Sequence, residues 1–193
     1  MNMDRRAVAA PTREVANWIA ELRYADLPAR TREVVRIAIL DTVGAGVYGY
    51  CTPWALRLLA WARRGGTANE ATVWGDGSAS MRAADAALVN GTAAHAFELD
   101  DYHNAKLHCG AAVIPAALAV AEAEGATPVE CLLGILASYE IQMRSNEFTK
   151  VSYFKITGWD HTTFLTVAPA ASAGMILKLD PMRLAHALAI AAS

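Results

Sequence analysis

TPVECLLGILASYEIQMR, residues 127–144, decides the fold class. Thr127 and Glu130 stand three apart ahead of an apolar run, the capping-box pattern in which each side chain takes up a backbone N–H of the other. Pro128 falls at the first helical position, where its missing N–H is no loss. The spacing predicts a helix at least to Met143, with Glu140 and Arg144 as an i,i+4 ion pair.

The same grammar repeats outward. Upstream, Ala111 to Glu124 reads as an alanine-rich helix stopped at Gly125, with Pro115 either in its first turn or kinking it. Downstream, Thr162 to Leu177 predicts another helix, and Asp180-Pro181 starts the last. Near the N-terminus, Thr12 caps a helix with Val15, Trp18, Ile19 and Leu22 at helical spacing. Pro28 opens a second that runs to Gly44 and Gly46, a pair read as close packing, and Trp54 to Arg64 is a third, stopped by Gly65-Gly66. Ala71 to Gly77 is the one extended piece, ended by a Gly-Asp-Gly turn. Ser80 then caps a helix towards Phe97. Helix after helix with one short extended segment predicts an all-α, multi-helix fold in a single helical domain, residues 1–193. The last helix runs to Ser193 with its apolar face continuing and no stop signal, so the expectation is a domain truncated or completed by a second polypeptide.

Bulk composition narrows the function. Hydrophobic residues make up 54% and charged residues 19%, which excludes disorder. A formal net charge of −2 and two isolated Arg pairs, Arg5-Arg6 and Arg63-Arg64, give no reason to expect nucleic acid. Cys51, Cys109 and Cys131 are odd in number and lack a C-x-x-C pair, which suits reduced thiols in a cytoplasmic protein. The N-terminus lacks a signal peptide's apolar region, and the uncharged stretch from His161 to Leu177 is shorter than a membrane span, so no membrane is expected.

Against this apolar background the window HAFELDDYHNAKLH, residues 95–108, is anomalous. Seven of its fourteen residues titrate: His95, Glu98, Asp100, Asp101, His103, Lys106 and His108. If the Ser80 helix continues to about Tyr102, then His95, Glu98, Asp101 and Tyr102 share a face, and Asp100 points elsewhere to solvent or the turn. His108 follows on a loop just before the alanine-rich helix. A carboxylate and an imidazole at adjacent helix ends are what proton abstraction beside a carboxylate requires. Singly, each residue also has a structural reading: Asp and Asn as caps, His95 as a core or supporting histidine, His103 and Lys106 as loop surface. Burying seven without purpose would cost stability. The set contains metal-ligand types, but its spacing matches no closed metal motif.

Asp160-His161, in Gly158-Trp-Asp-His161, is the second candidate: a carboxylate and imidazole at a helix N-terminus, where the dipole favours an anion. The alternative is a plain N-cap with a first-turn histidine. His186 is expected to be a packed core histidine. No nucleotide-binding glycine motif or nucleophile elbow is present, and Cys109 reads as packing.

The pattern resembles the MmgE/PrpD family. The resemblance rests on Leu40-Asp-Thr-Val-Gly44, Asn90-Gly-Thr-Ala-Ala-His95, Leu99-Asp-Asp101 followed by His108-x-Gly110, Pro115-Ala-Ala-Leu-Ala119, Gly158-Trp-Asp-His161 and Leu184 to Ser193. It implies a helical domain, usually dimeric, followed in a longer chain by an α+β lid. It also implies small di- or tricarboxylate substrates, no metal or organic cofactor, and dehydration, decarboxylation or epimerisation as the reaction. Carried over by position, His108 is the loop acid/base, with Glu98 and Asp101 orienting it or sharing its proton, and His161 is a second acid/base or anion-binding group. Tyr102, Asp100, Lys106 and Asp160 are the substrate-binding candidates. Three positions depart from the family: Glu98 for Asp, Tyr102 for Thr, and Cys109 for Pro. The reading is therefore the helical part of a lyase or isomerase, in a homodimer, with a second polypeptide carrying the lid, or both. The rival is an inactive helical scaffold whose site has drifted at Glu98 and Tyr102.

Overall fold

A computed structural model describes residues 10–66, 68–103, 107–147 and 165–193. They form helices α1 (Ala10–Glu21), α2 (Ala29–Gly49) and α3 (Pro53–Ala62), then strands β1 (Ala71–Val73) and β2 (Asp76–Met81). Helices α4 (Ala83–Ala94), α5 (Gly110–Glu124), α6 (Pro128–Glu147), α7 (Val167–Ile176) and α8 (Pro181–Ala191) follow. The fold is mainly helical, as expected. No single helix among the described residues is long and apolar enough to cross a membrane.

Helix α6 is the axis of the packing, buried throughout residues 131–139. Ile135 and Leu136 meet Val113, Ile114 and Ala117 of α5 and Ala168 and Ile176 of α7 in the main core. Ser138 Oγ accepts the Ser172 N–H and donates to the Ala168 carbonyl, tying α6 to α7. A second cluster packs α3 and α4 on the hairpin through Leu59, Val73, Met81, Ala86 and Val89. A third joins α1 to α8 through Ala16, Ile19, Leu184 and Leu188.

The capping box forms. Thr127 N donates to Glu130 Oε2 at 2.7 Å and Glu130 N to Thr127 Oγ1 at 3.3 Å, while Lys178 Nζ reaches Glu130 Oε1 at 2.9 Å. The Thr127 backbone donor, then the Lys178 and Thr127 side-chain bonds, hold the Glu130 carboxyl down from 4.5 to about 2. A carboxyl lowered on folding contributes stability above its unfolded value and loses it as pH falls through the folded one. The stability difference between wild type and Glu130→Gln is therefore expected to shrink as pH falls from 4.5 to about 2, followed by thermal melts. A difference that stays constant across that range would remove the cap as its cause.

Four readings are corrected. Helix α2 does not end at Gly44 and Gly46 but continues to Gly49, because it crosses its neighbours at glycines. A Cβ on Gly46 would lie 2.6 Å from the Trp74 ring, and one on Gly49 1.9 Å from the Ala93 carbonyl oxygen. Ser80 caps nothing: it pairs with Thr72 in the antiparallel hairpin, and its Oγ donates to the Ala71 carbonyl. The Ala83 N–H at the start of α4 is taken by Glu70 Oε2 at 2.9 Å. His186 is exposed on α8 and is not a core residue. Most consequential for function, α4 stops at Ala94, well short of Tyr102.

Candidate active site

Beyond Ala94 the chain turns through His95 to Phe97 and reverses at Glu98, whose φ of 51° is left-handed. A non-glycine residue there costs about 1–2 kcal/mol, and the carboxylate that follows holds the turn in place. Asp100 has a fully buried side chain, with Oδ1 3.0 Å from His95 Nδ1 and 3.2 Å from His108 Nδ1. Its Oδ2 accepts the Ala111 N–H at 3.2 Å. Asp101 Oδ1 accepts the Gly110 N–H at 2.6 Å, and Asp101 Oδ2 the Tyr139 hydroxyl at 2.6 Å. Both carboxylates thus sit on the N-terminus of α5, whose amides and dipole favour negative charge.

The shared helical face expected for His95, Glu98, Asp101 and Tyr102 does not exist; His95, Asp100 and His108 meet through the turn instead, with the Tyr102 ring beside His108. Asp100, expected to point away, is its centre, and its burial among two imidazoles and an amide sets it up to hold side chains rather than substrate. Asp101 likewise anchors α5 to α6 instead of orienting His108. Glu98 is exposed, and its backbone N–H donates to the His95 carbonyl at 3.2 Å. Tyr102 is 63% exposed, its ring 5.3 Å from that of His108. His103 pairs its backbone with Leu107, closing the loop. Lys106, Asp160 and His161 lie outside the described residues.

Two contributors were not read from the sequence. Tyr139 is buried in the α6 run, and burial followed by the Asp101 charge raises its phenol, so it stays a donor. A buried tyrosine needs a partner for its hydroxyl, and that requirement was the available signal. Thr42 is the other: a Cβ on Gly110 would stand 2.3 Å from its Oγ1 and 2.8 Å from Asp101 Oδ1, so only glycine fits where α5 begins. Cys109 is confirmed as packing, for burial, and after it Asp101 and Asp100, push its thiol up to about 12.

A cleft of about 400 Å³ opens beside the histidines, between Ala87 and Gly91 of α4, Ala112 and Ala116 of α5, and Pro169 of α7. His95 and His108 stand in its wall, the latter only 14% exposed. A larger groove, about 630 Å³, lies between α1, α6 and α8. Among the described residues its lining is apolar apart from such groups as the Glu140–Arg144 pair and includes no histidine, whereas the smaller cleft is lined by two. An imidazole with Nδ1 fixed on a carboxylate can exchange a proton through Nε2, the arrangement general acid–base catalysis uses.

Residues 13–193 match the MmgE/PrpD N-terminal domain. The chain is 30% identical over 187 residues to the cis-aconitate decarboxylase of Homo sapiens, covering 94% of this chain and 39% of that one. The cis-aconitate decarboxylase of Aspergillus terreus is 29% identical over 196 residues, covering 97% and 40%. A cis-aconitate decarboxylase-like protein of Aspergillus oryzae is 28% identical over 189 residues, covering 93% and 39%. The chain spans about 40% of the length of these curated relatives.

Proposed function

The chain belongs to the MmgE/PrpD family, and from that premise we propose that it forms the acid/base wall of a lyase or isomerase site for a small di- or tricarboxylate. The observation that carries this reading is Asp100, its buried carboxylate bonded to His95 Nδ1 and 3.2 Å from His108 Nδ1, its backbone carbonyl accepting from His108, beside a cleft. His108 exchanges the proton next to a substrate carboxylate through Nε2. Asp100 fixes its tautomer and offsets the positive charge that develops on the ring. This chemistry calls on no metal or organic cofactor. His161 serves as anion-binding or second acid/base group, with Asp160 and Lys106 as substrate contacts. The remainder of the family's length, on this or another polypeptide, closes the cleft against water. Loss of carbon dioxide from a tricarboxylate is the first reaction to test, because the relatives named above are cis-aconitate decarboxylases.

The test is solvent exchange. The chain together with the remaining family portion, supplied with cis-aconitate and related polycarboxylates in D₂O, is expected to place deuterium on the carbon next to a carboxylate. Mass spectrometry of substrate and product reads it. One feature favours the second reading, an inactive scaffold: the Tyr102 ring lies against His108 where the family resemblance has Thr. No deuterium from any of these acids, in a folded and complete assembly, would make the scaffold the better account.

We also propose a homodimer. Val34, Ile37, Leu40, Val47 and Tyr48 leave α2 with an outward apolar stripe, Leu40 being 75% exposed. Apolar patches of this kind rarely stay uncovered on a monomer. Leu40→Glu is expected to halve the mass seen by light scattering; a wild-type chain that is already monomeric at micromolar concentration would refute it.

A further inference from the structure

The His95–Asp100–His108 cluster has the donors and spacing of a metal site. Ligands held about 2.0–2.1 Å from a zinc-class ion stand roughly 3.0–3.4 Å apart. Asp100 Oδ1 is 3.0 Å from one Nδ1 and 3.2 Å from the other, and the three residues each bring one ligand atom within 4.8 Å of the other two. Two edges of the coordination triangle are therefore already at ligand spacing. Two imidazoles and one carboxylate are a donor set that zinc, cobalt and iron(II) accept with open positions left for water. The adjoining cleft gives an ion a path in.

We infer that His95 Nδ1, Asp100 Oδ1 and His108 Nδ1 bind a zinc-class divalent cation, and that binding silences the site. A carboxylate and a backbone carbonyl accept hydrogen bonds and cannot donate, so Nδ1 carries hydrogen both in His95, on Asp100 Oδ1, and in His108, on the Asp100 carbonyl. Coordination requires a lone pair at Nδ1. A neutral ring must move its hydrogen to Nε2, and an imidazolium must release a proton. Either way His108 ends with Nε2 protonated and cannot accept a proton there. The ion and the base thus exclude each other. That consequence rests on the reading of His108 as base, whereas the binding does not.

The experiment uses cobalt(II) as a visible-spectrum probe on the purified chain, with zinc(II) in competition. One equivalent of cobalt is expected to bind and to be displaced by zinc. His95→Ala and Asp100→Asn are expected to weaken binding by roughly 100-fold or more, while His186→Ala, on the far exposed helix, leaves it unchanged. Circular dichroism confirms that each variant is folded. Wild-type affinity in folded His95→Ala, or equal loss in His186→Ala, would overturn the assignment. Full turnover at saturating zinc, with binding intact, would instead sink the role of His108 as base.

Discussion

His108→Asn is expected to lower turnover by about 10²–10⁴-fold while leaving the chain folded and its melting temperature nearly unchanged. The asparagine amide nitrogen reaches the position of Nδ1, so the bond to the Asp100 backbone carbonyl that stands at 3.3 Å can be kept. What is lost is Nε2, the only nitrogen of the ring left for a substrate once Nδ1 is on that carbonyl. A fold-neutral change with so large a kinetic effect separates chemistry from scaffolding. Asp100→Ala makes the useful contrast. It strands the donors of His95 and Ala111, while His108 Nδ1 keeps the Asp100 backbone carbonyl at 3.3 Å. At about 1 kcal/mol or more for each unsatisfied donor, it should cost on the order of 2 kcal/mol. In a chain of this size that lowers the melting temperature by roughly 4–8 °C, and activity falls with it because His108 loses the carboxylate that offsets charge on its ring. If His108→Asn keeps wild-type turnover, the acid/base wall lies elsewhere, whatever Asp100→Ala does to stability.

Gly49→Ala is expected to be the most disruptive single-methyl change in the scaffold. The added Cβ would sit 1.9 Å from the Ala93 carbonyl oxygen, 2.9 Å from its carbon and 2.9 Å from Ala96 Cβ. Two of those three atoms are backbone, so relief requires moving α2 away from the end of α4, which carries His95. Overpacking costs about 1–3 kcal/mol where side chains can yield, and here a value at or above the top of that range is expected. Gly44→Ala should do the opposite. The same helix is exposed there, and a Cβ would meet nothing within 4 Å. The helix interior then gains about 0.8–1.0 kcal/mol from the better helix former. Thermal melts of the two variants should move in opposite directions, and a common direction would contradict the crossing geometry.

The sequence by itself determined the class of the fold and the neighbourhood of the site. Capping residues, proline at a first helical position and apolar spacing of three and four are local signals, and a helix closes its hydrogen bonds locally. Hence α6, with Thr127 and Glu130 at its start, and α8, with Asp180 accepting from Met182 and Arg183 N–H, were legible. The crowd of titratable groups between residues 95 and 108 was legible for the same reason, as a departure from an apolar background. Which groups meet was not legible. The end of α4 carries no glycine or proline signal; it is made by Asp100 folding back to His95 while its other oxygen holds α5. That closure depends on bonds between residues five and eleven apart in the chain. A further one, Tyr139 to Asp101, spans thirty-eight residues. Local spacing placed Asp100 off the face and Glu98 on it, and tertiary structure reversed both, because a buried carboxylate must be satisfied wherever donors can be brought to it. Only the packed structure could decide that, since the donors come from three separate elements.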